Sequence, residues 1–185
     1  MVNIKTLSGF ILFFFSFNIS IVFGQPVGDD MVTEEMLLNP PAEDWLMFSR
    51  TVDNQRFSPL DQINKQNVDG LQMVWSRGIT AGTQENIPLV HDGVMFVGHP
   101  GDTGDVSIIQ ALDATNGNLI WQYERQLPDD ITDYVSIATA RVLSIYGDKV
   151  FYGTPDGYLV ALGTCNGELH WEVKEHDYTK GTEHT

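Results

Sequence analysis

One stretch of this sequence is written twice, 50 residues apart. Ala111-Leu112-Asp113-Ala114-Thr115-Asn116-Gly117-Asn118-Leu119-Ile120-Trp121 is echoed by Ala161-Leu162-Gly163-Thr164-Cys165-Asn166-Gly167-Glu168-Leu169-His170-Trp171. A shorter copy, Val68-Asp69-Gly70-Leu71-Gln72-Met73-Val74-Trp75, comes first, so Trp75, Trp121 and Trp171 fall 46 and 50 residues apart. Between them Val94-Met95-Phe96-Val97-Gly98 is echoed by Lys149-Val150-Phe151-Tyr152-Gly153. Four short strands per roughly 40–50 residues is the period of a propeller blade. A four-stranded sheet cannot bury both faces alone, and radial stacking buries them against one another. An indole at the same point of each copy is suited to fill the space between adjacent blades.

The strand pattern agrees. Leu71 to Trp75 reads as a strand. Ile87 to Val90 and Val94 to Gly98 flank His91-Asp92-Gly93, a hairpin signal. Ser107 to Asp113 and Asn118 to Tyr123 flank Thr115-Asn116-Gly117. Ile137 to Tyr146 and Lys149 to Gly153 flank Gly147-Asp148, and Gly157 to Leu162 and Glu168 to Val173 flank Cys165-Asn166-Gly167. Short strands punctuated by Asn-Gly and Asp-Gly, without helices between them, predict an antiparallel all-β fold. The expectation is a β-propeller of which the chain carries about two to three blades.

Residues 1–24 are read as a secretory signal peptide. Lys5 is followed by an apolar run from Phe10 to Phe23, and Val22-Phe23-Gly24 offers a cleavage site before Gln25. The run is shorter than the roughly 18–20 residues of a spanning helix. Residues 25–43 are read as an N-terminal arm. In it Thr33 caps a short helix up to Leu38, Glu34 and Glu35 suit its first turn, and Asn39-Pro40-Pro41 stops it. Residues 44–185 are the partial propeller, interrupted at Thr185 within a ring that needs about four to eight blades.

Without the leader the chain has 9 basic and 25 acidic side chains, a balance of −16. That excludes a nucleic-acid-binding surface, which needs clustered Lys and Arg, and suits a basic partner. Cys165 is the only cysteine, so no internal disulfide forms, and its place in a turn carries no catalytic signal. His91, His99, His170, His176 and His184 show no metal-ligand spacing.

The block Asp44-Trp45-Leu46-Met47-Phe48-Ser49-Arg50-Thr51-Val52-Asp53-Asn54-Gln55-Arg56-Phe57-Ser58-Pro59-Leu60-Asp61-Gln62-Ile63-Asn64, with Val68 to Trp75 after it, resembles the mature start of the pyrroloquinoline quinone (PQQ) dependent alcohol dehydrogenases of the methanol and ethanol dehydrogenase type. The repeat resembles that family's tryptophan docking motif, and the resemblance covers residues 44–185. It implies an eight-bladed propeller of four-stranded antiparallel blades, with PQQ and a calcium or lanthanide ion in the central channel. It also implies periplasmic oxidation of a small alcohol to an aldehyde, with electrons passed to a c-type cytochrome. Membrane association is left open and is not indicated by any feature.

Three positions match the family's cofactor site. Gln84-Glu85-Asn86-Ile87-Pro88-Leu89-Val90 resembles the segment whose glutamate contacts the quinone, which gives Glu85 that role. A carboxylate accepts from the N–H groups of such a ring. Arg141 aligns with the arginine beside the quinone oxygens, where a guanidinium fork suits an anionic oxygen. Thr185 falls where a threonine bonds a PQQ carboxylate. Many members place adjacent cysteines a few residues before the arginine, and here those positions are Val135 and Ser136. Apolar contact, for instance from Val135, is then expected in place of the disulfide. The family's metal ligands and catalytic aspartate are expected beyond residue 185, so no catalytic or metal-binding residue is assigned here. Two other readings stand beside this one: a non-enzymatic periplasmic propeller of the outer-membrane assembly kind, and an inactive truncated product.

Overall fold

The structure, a computed structural model, describes residues 31–80, 85–137 and 143–182. Residues 1–24, read above as a signal peptide, lie outside the described residues. Two four-stranded antiparallel sheets form, each a simple meander. The first orders β1 (Leu89–His91), β2 (Val94–Pro100), β3 (Val106–Asp113) and β4 (Leu119–Gln126). The second orders β5 (Leu143–Tyr146), β6 (Lys149–Gly153), β7 (Tyr158–Gly163) and β8 (Leu169–Lys174). The backbones of the two sheets approach most extensively at β1 and β5, so these are the inner strands, and β4 and β8 are the outer ones.

Each hairpin follows from its turn chemistry. Asp92 and Gly93 both take positive φ, 46° and 73°, and close β1 onto β2 in the geometry that Asp-Gly favours. The two sequence echoes are structural equivalents. Val94–Gly98 and Lys149–Gly153 are both second strands, and the tryptophans sit on fourth strands paired with Ala111 and Ala161. Both copies carry an irregularity at the same point, between Ala111 and Leu112 and between Ala161 and Leu162.

The sheets are joined by a docked indole. Trp121 Nε1 donates to the Thr164 carbonyl at 2.7 Å, across to the turn of the second sheet. Its ring lies over Gly167, where an added Cβ would come within 2.5 Å of the indole. Gly167 also has φ 69°, so the position requires glycine twice over. Trp75 repeats the arrangement one step earlier: its Nε1 donates to the Ala114 carbonyl at 3.1 Å, and its ring lies over Gly117. Behind the indoles Phe96, Ile109, Val150, Tyr152, Val160 and Leu162 form the main core.

A second inter-sheet contact is ionic. Arg125 on β4 forms a two-pronged pair with Asp156 of the β6–β7 hairpin, both bonds 2.8 Å. It also reaches Glu172 on β8 at 2.7 Å and lies over the Tyr158 ring, 4.4 Å from its centroid. Nearby, Ser107 and the buried Tyr152 hydroxyl bond each other across the sheets.

The arm and the start of the block that follows it are clipped to both sheets. The helix α1 (Glu34–Leu38) forms as predicted, with the Thr33 side chain accepting from Met36 N. Val32 exchanges two backbone hydrogen bonds with Gly147, at 2.9 and 2.8 Å, and is buried in the core. Trp45 does the same with Val90, at 2.8 and 2.9 Å. Asp44 is buried beside His91, with Oδ2 2.9 Å from Nδ1, while its other oxygen accepts from Asp92 N. Arg50, also buried, donates to the carbonyls of Pro40 and Pro41 and so ties the helix stop to the block that follows.

Two strand expectations differ from the structure. Leu71–Trp75 is not a strand: a 3₁₀ turn at Val68–Gly70 leads into residues that pair with no sheet among the described residues. Met73 and Val74 are 82% and 85% exposed there. A strand needs a hydrogen-bonded neighbour, and here the indole is docked while the backbone is unpaired. Of the strand expected from Ile137 to Tyr146, Leu143–Tyr146 is described as β5 and Ile137 is not part of it, while residues 138–142 lie outside the described residues. Ile137 instead packs on a small separate core of Leu127, Ile131 and Val135.

Trp121→Ala is expected to lower the unfolding free energy by about 3–5 kcal/mol, and Gly167→Ala by at least about 1 kcal/mol, read from urea midpoints. Trp171→Ala, at a site 41% exposed, is expected to cost less than either. Burial pushes the Asp156 carboxyl up, but hydrogen bonds from Arg125 and Thr154 and the guanidinium charge outweigh it, leaving it below the usual 3.8. The pair's stabilisation is therefore complete above that value and is lost as pH falls through the lowered folded one. Asp156→Asn should cost about 3 kcal/mol at neutral pH and flatten the loss of stability below about pH 4. Equal acid slopes in the two proteins would contradict this.

Candidate functional site

In this meander the chain must return from the outer strand of one sheet to the inner strand of the next. Each return crosses the end of the sheets that carries the β2–β3 and β6–β7 hairpins. The first return leaves Trp75 and enters β1 at Leu89, the second leaves β4 after Gln126 and enters β5 at Leu143, and a third begins after Lys174. Glu85, Arg141 and Thr185 each belong to one of these three segments of sequence. Arg141 and Thr185 themselves lie outside the described residues.

Glu85 is described and half-buried. Its neighbour Asn86 donates from its side chain to the Gly98 carbonyl on β2, which pins the segment beside the sheet. Next to it, His99 is buried, with Nδ1 2.9 Å from the Pro100 carbonyl and 3.1 Å from Thr80 Oγ1. Thr80 also donates to the Pro100 carbonyl. A cavity of about 310 Å³ opens here, lined among others by Thr80, His99, Asp102 and Ile108. The return segment and the β2–β3 hairpin therefore enclose a polar corner at the same sheet end as Glu85. No pattern in the sequence marks it, because His99 and Thr80 are brought together only by the return of the chain.

The second return is ordered by the small core. After β4, Leu127 N donates to Asp105 O at 2.8 Å, and Ile131–Asp133 makes a 3₁₀ turn. Val135 is buried against Leu127 and Ile131, while Ser136 is exposed. The apolar side chain expected to lie against a flat ring is thus enclosed by the protein's own core. An apolar group gains more from that cover than from an open face. Among the described residues, no group of three or more His, Cys, Asp or Glu is placed to hold a metal ion. No helix among them is long and apolar enough to cross a membrane.

Stacked four-stranded antiparallel meanders joined by docked indoles define part of a β-propeller. Residues 45–180 match the β-propeller domain of the PQQ glucose, ethanol and alcohol dehydrogenases, and the chain belongs to that family. The dehydrogenase subunit of the alcohol dehydrogenase (quinone) of Gluconacetobacter polyoxogenes is 40% identical over 131 residues, 70% of this chain and 17% of that protein. A quinohemoprotein alcohol dehydrogenase of Pseudomonas putida HK5 superimposes with a TM-score of 0.70 at 32% identity, over 79% of this chain and 21% of that one. A europium-containing methanol dehydrogenase does so with a TM-score of 0.67 at 30% identity, over 78% and 25%. The chain thus spans about a fifth of the length of these relatives, and the propeller fold expected from the repeats is the fold observed.

Proposed function

We propose that residues 44–185 supply the first blades of a periplasmic, PQQ-dependent alcohol dehydrogenase, and that Glu85, Arg141 and Thr185 hold its cofactor. Residues 1–24 act in this reading as the export signal and residues 25–43 as the arm. The observation that carries it is Glu85: a half-buried carboxylate on the return into an inner strand, pinned through Asn86 to β2. The chemistry of the three side chains fits an anionic ring that also bears N–H groups. Glu85 accepts from N–H, Arg141 offers two parallel donors to oxygens, and the Thr185 hydroxyl donates to a carboxylate. PQQ with a calcium or lanthanide ion supplies, when bound, the electron acceptor for oxidising a primary alcohol to an aldehyde.

The roles of this chain's residues are binding and orientation. A guanidinium beside the ring oxygens stabilises negative charge there without reorganising. The metal ligands and the base that takes the alcohol proton are assigned to parts of the protein outside this chain. A c-type cytochrome is the proposed electron acceptor, and the balance of −16 left without residues 1–24 favours encounter with a basic surface.

Titration of the 185-residue chain with PQQ, followed by tryptophan fluorescence, is expected to show uptake that Glu85→Gln and Arg141→Ala each weaken about tenfold, the scale of a hydrogen bond to a charged group. Absence of uptake, or uptake indifferent to both substitutions, would overturn the site assignment. The same chain supplied with PQQ and calcium is expected to reduce no dye with ethanol. Robust cofactor-dependent reduction would show that the base and metal site are within it.

A further inference from the structure

His99, near the end of β2, is 5% exposed, and its two ring nitrogens have opposite fates. Nδ1 lies 2.9 Å from the Pro100 carbonyl, which can only accept, so Nδ1 carries the proton. The Thr80 hydroxyl donates to the same carbonyl and braces the ring from the return. In the neutral ring Nε2 is then a bare lone pair. It is buried and has no hydrogen-bond partner among the described residues. A buried acceptor in that state costs stability, and a donor that reaches it recovers the cost. The His99 ring lines the cavity of about 310 Å³, with Ile79, Val106 and Ile108 as aliphatic wall and an exposed Asp102. Val106 is set by a close hairpin. Gly101 N donates to Val106 O at 2.8 Å, and a Cβ added at Gly101 would come within 2.1 Å of Val106 Cγ2.

We propose that this cavity binds a short aliphatic alcohol, whose hydroxyl donates to His99 Nε2 and whose chain lies on Ile79, Val106 and Ile108. The polar side chains of the wall offer acceptors: the Nε2 lone pair, the Asp102 carboxylate, and a Thr80 hydroxyl whose proton is already given to Pro100. Among the described residues no lysine or arginine lines the cavity. The ligand must therefore bring the donor. A cation brings donors too, but the one anionic group of the wall is exposed. Burying a charge beside a neutral imidazole, without a buried counter-charge, costs more than burying a hydroxyl. The aliphatic wall favours a donor with an alkyl chain, since both surfaces leave water together. The choice of an alcohol over other neutral donors rests on the reading above; the acceptor and its walls do not. Thr80 is five residues from Glu85 on the same return, so the alcohol is held on the segment that carries that carboxylate.

The test is titration of the 185-residue chain, without PQQ, with 1-butanol, followed by NMR. Saturable shifts are expected at the methyl groups of Ile79, Val106 and Ile108 and at His99 Nε2. 1-Methoxypropane has the same heavy atoms but no O–H, and is expected to bind about tenfold more weakly. Butylammonium is expected to bind more weakly than 1-butanol. His99→Asn offers a donor near the Nδ1 position but no Nε2. It should weaken 1-butanol about tenfold and abolish the difference between the alcohol and the ether, which a merely structural role of His99 would not do. Ile79→Trp fills the cavity from its exposed side with His99 intact, and should abolish saturation even where His99→Asn fails to fold. Shifts that do not saturate, an ether that binds as well as the alcohol, or binding unchanged by Ile79→Trp each overturn the proposal. Tighter binding of butylammonium that is lost in Asp102→Asn assigns the cavity to cations and overturns it too. A chain that binds 1-butanol but takes up no PQQ overturns the cofactor reading alone, and the reverse result overturns this site alone.

Discussion

An indole N–H pointing at a turn carbonyl of the next sheet is the contact on which this structure is built. The bond from Trp121 to Thr164 fixes one sheet's outer strand against its neighbour's turn. The ring then covers the only kind of residue that leaves room for it, a glycine whose backbone is already left-handed. Hydrogen bond and steric fit act on the same two elements, so the sheets have little freedom to slide or to open. The bond from Trp75 to Ala114 repeats the solution. A single geometry used twice sets a constant step between sheets, and a constant step between twisted sheets makes a ring.

Everything nearer the β2–β3 and β6–β7 hairpins inherits that step. With the outer strands fixed, β1 and β5 meet on the inside, and the returns that feed them are brought to one end. The Arg125–Asp156 pair adds an ionic contact beside that end, drawing the second sheet's hairpin against β4. Desolvating this pair is expensive, and the two-pronged geometry together with the Tyr158 ring beneath the guanidinium offsets it. The block that follows the arm works from the other end of β1, where Asp44 and His91 are buried together. The inner strands are thus held at both ends.

Legibility in the sequence followed the range of the interaction. Hairpins are local, and the Asp92-Gly93 and Asn116-Gly117 turns were readable residue by residue. The docked tryptophans are long-range, yet they were readable because the repeat wrote them more than once. Leu71–Trp75 misled for the opposite reason: its composition is that of a strand, but a strand is a property of two segments, and its partner is not among the described ones. Tyr178 and Asp130 stand 48 residues apart and Arg125 and Asp156 31 apart, with no second copy to reveal either pair. Val135 looked like an available apolar surface because sequence does not say which neighbours will cover it. Glu85 was legible only through resemblance, since a lone carboxylate before a strand has no pattern of its own.

Trp171 shows how far the docking geometry is set in advance. It is 41% exposed, whereas Trp121 is 7% exposed beneath the second sheet's turn. Yet the two rings are held alike by their own sheets. Phe96 and Trp121 have centroids 5.9 Å apart at 44°, and Phe151 and Trp171 have centroids 5.9 Å apart at 43°. The partner turn therefore does not induce the orientation of the indole; the phenylalanine on the second strand does. A side chain already oriented loses little entropy when it is covered, so most of the buried area and the new hydrogen bond go into stability. Repetition of the Phe–Trp pair, more than of the tryptophan alone, is what lets each sheet fold as a unit and still fit its neighbour without rearrangement.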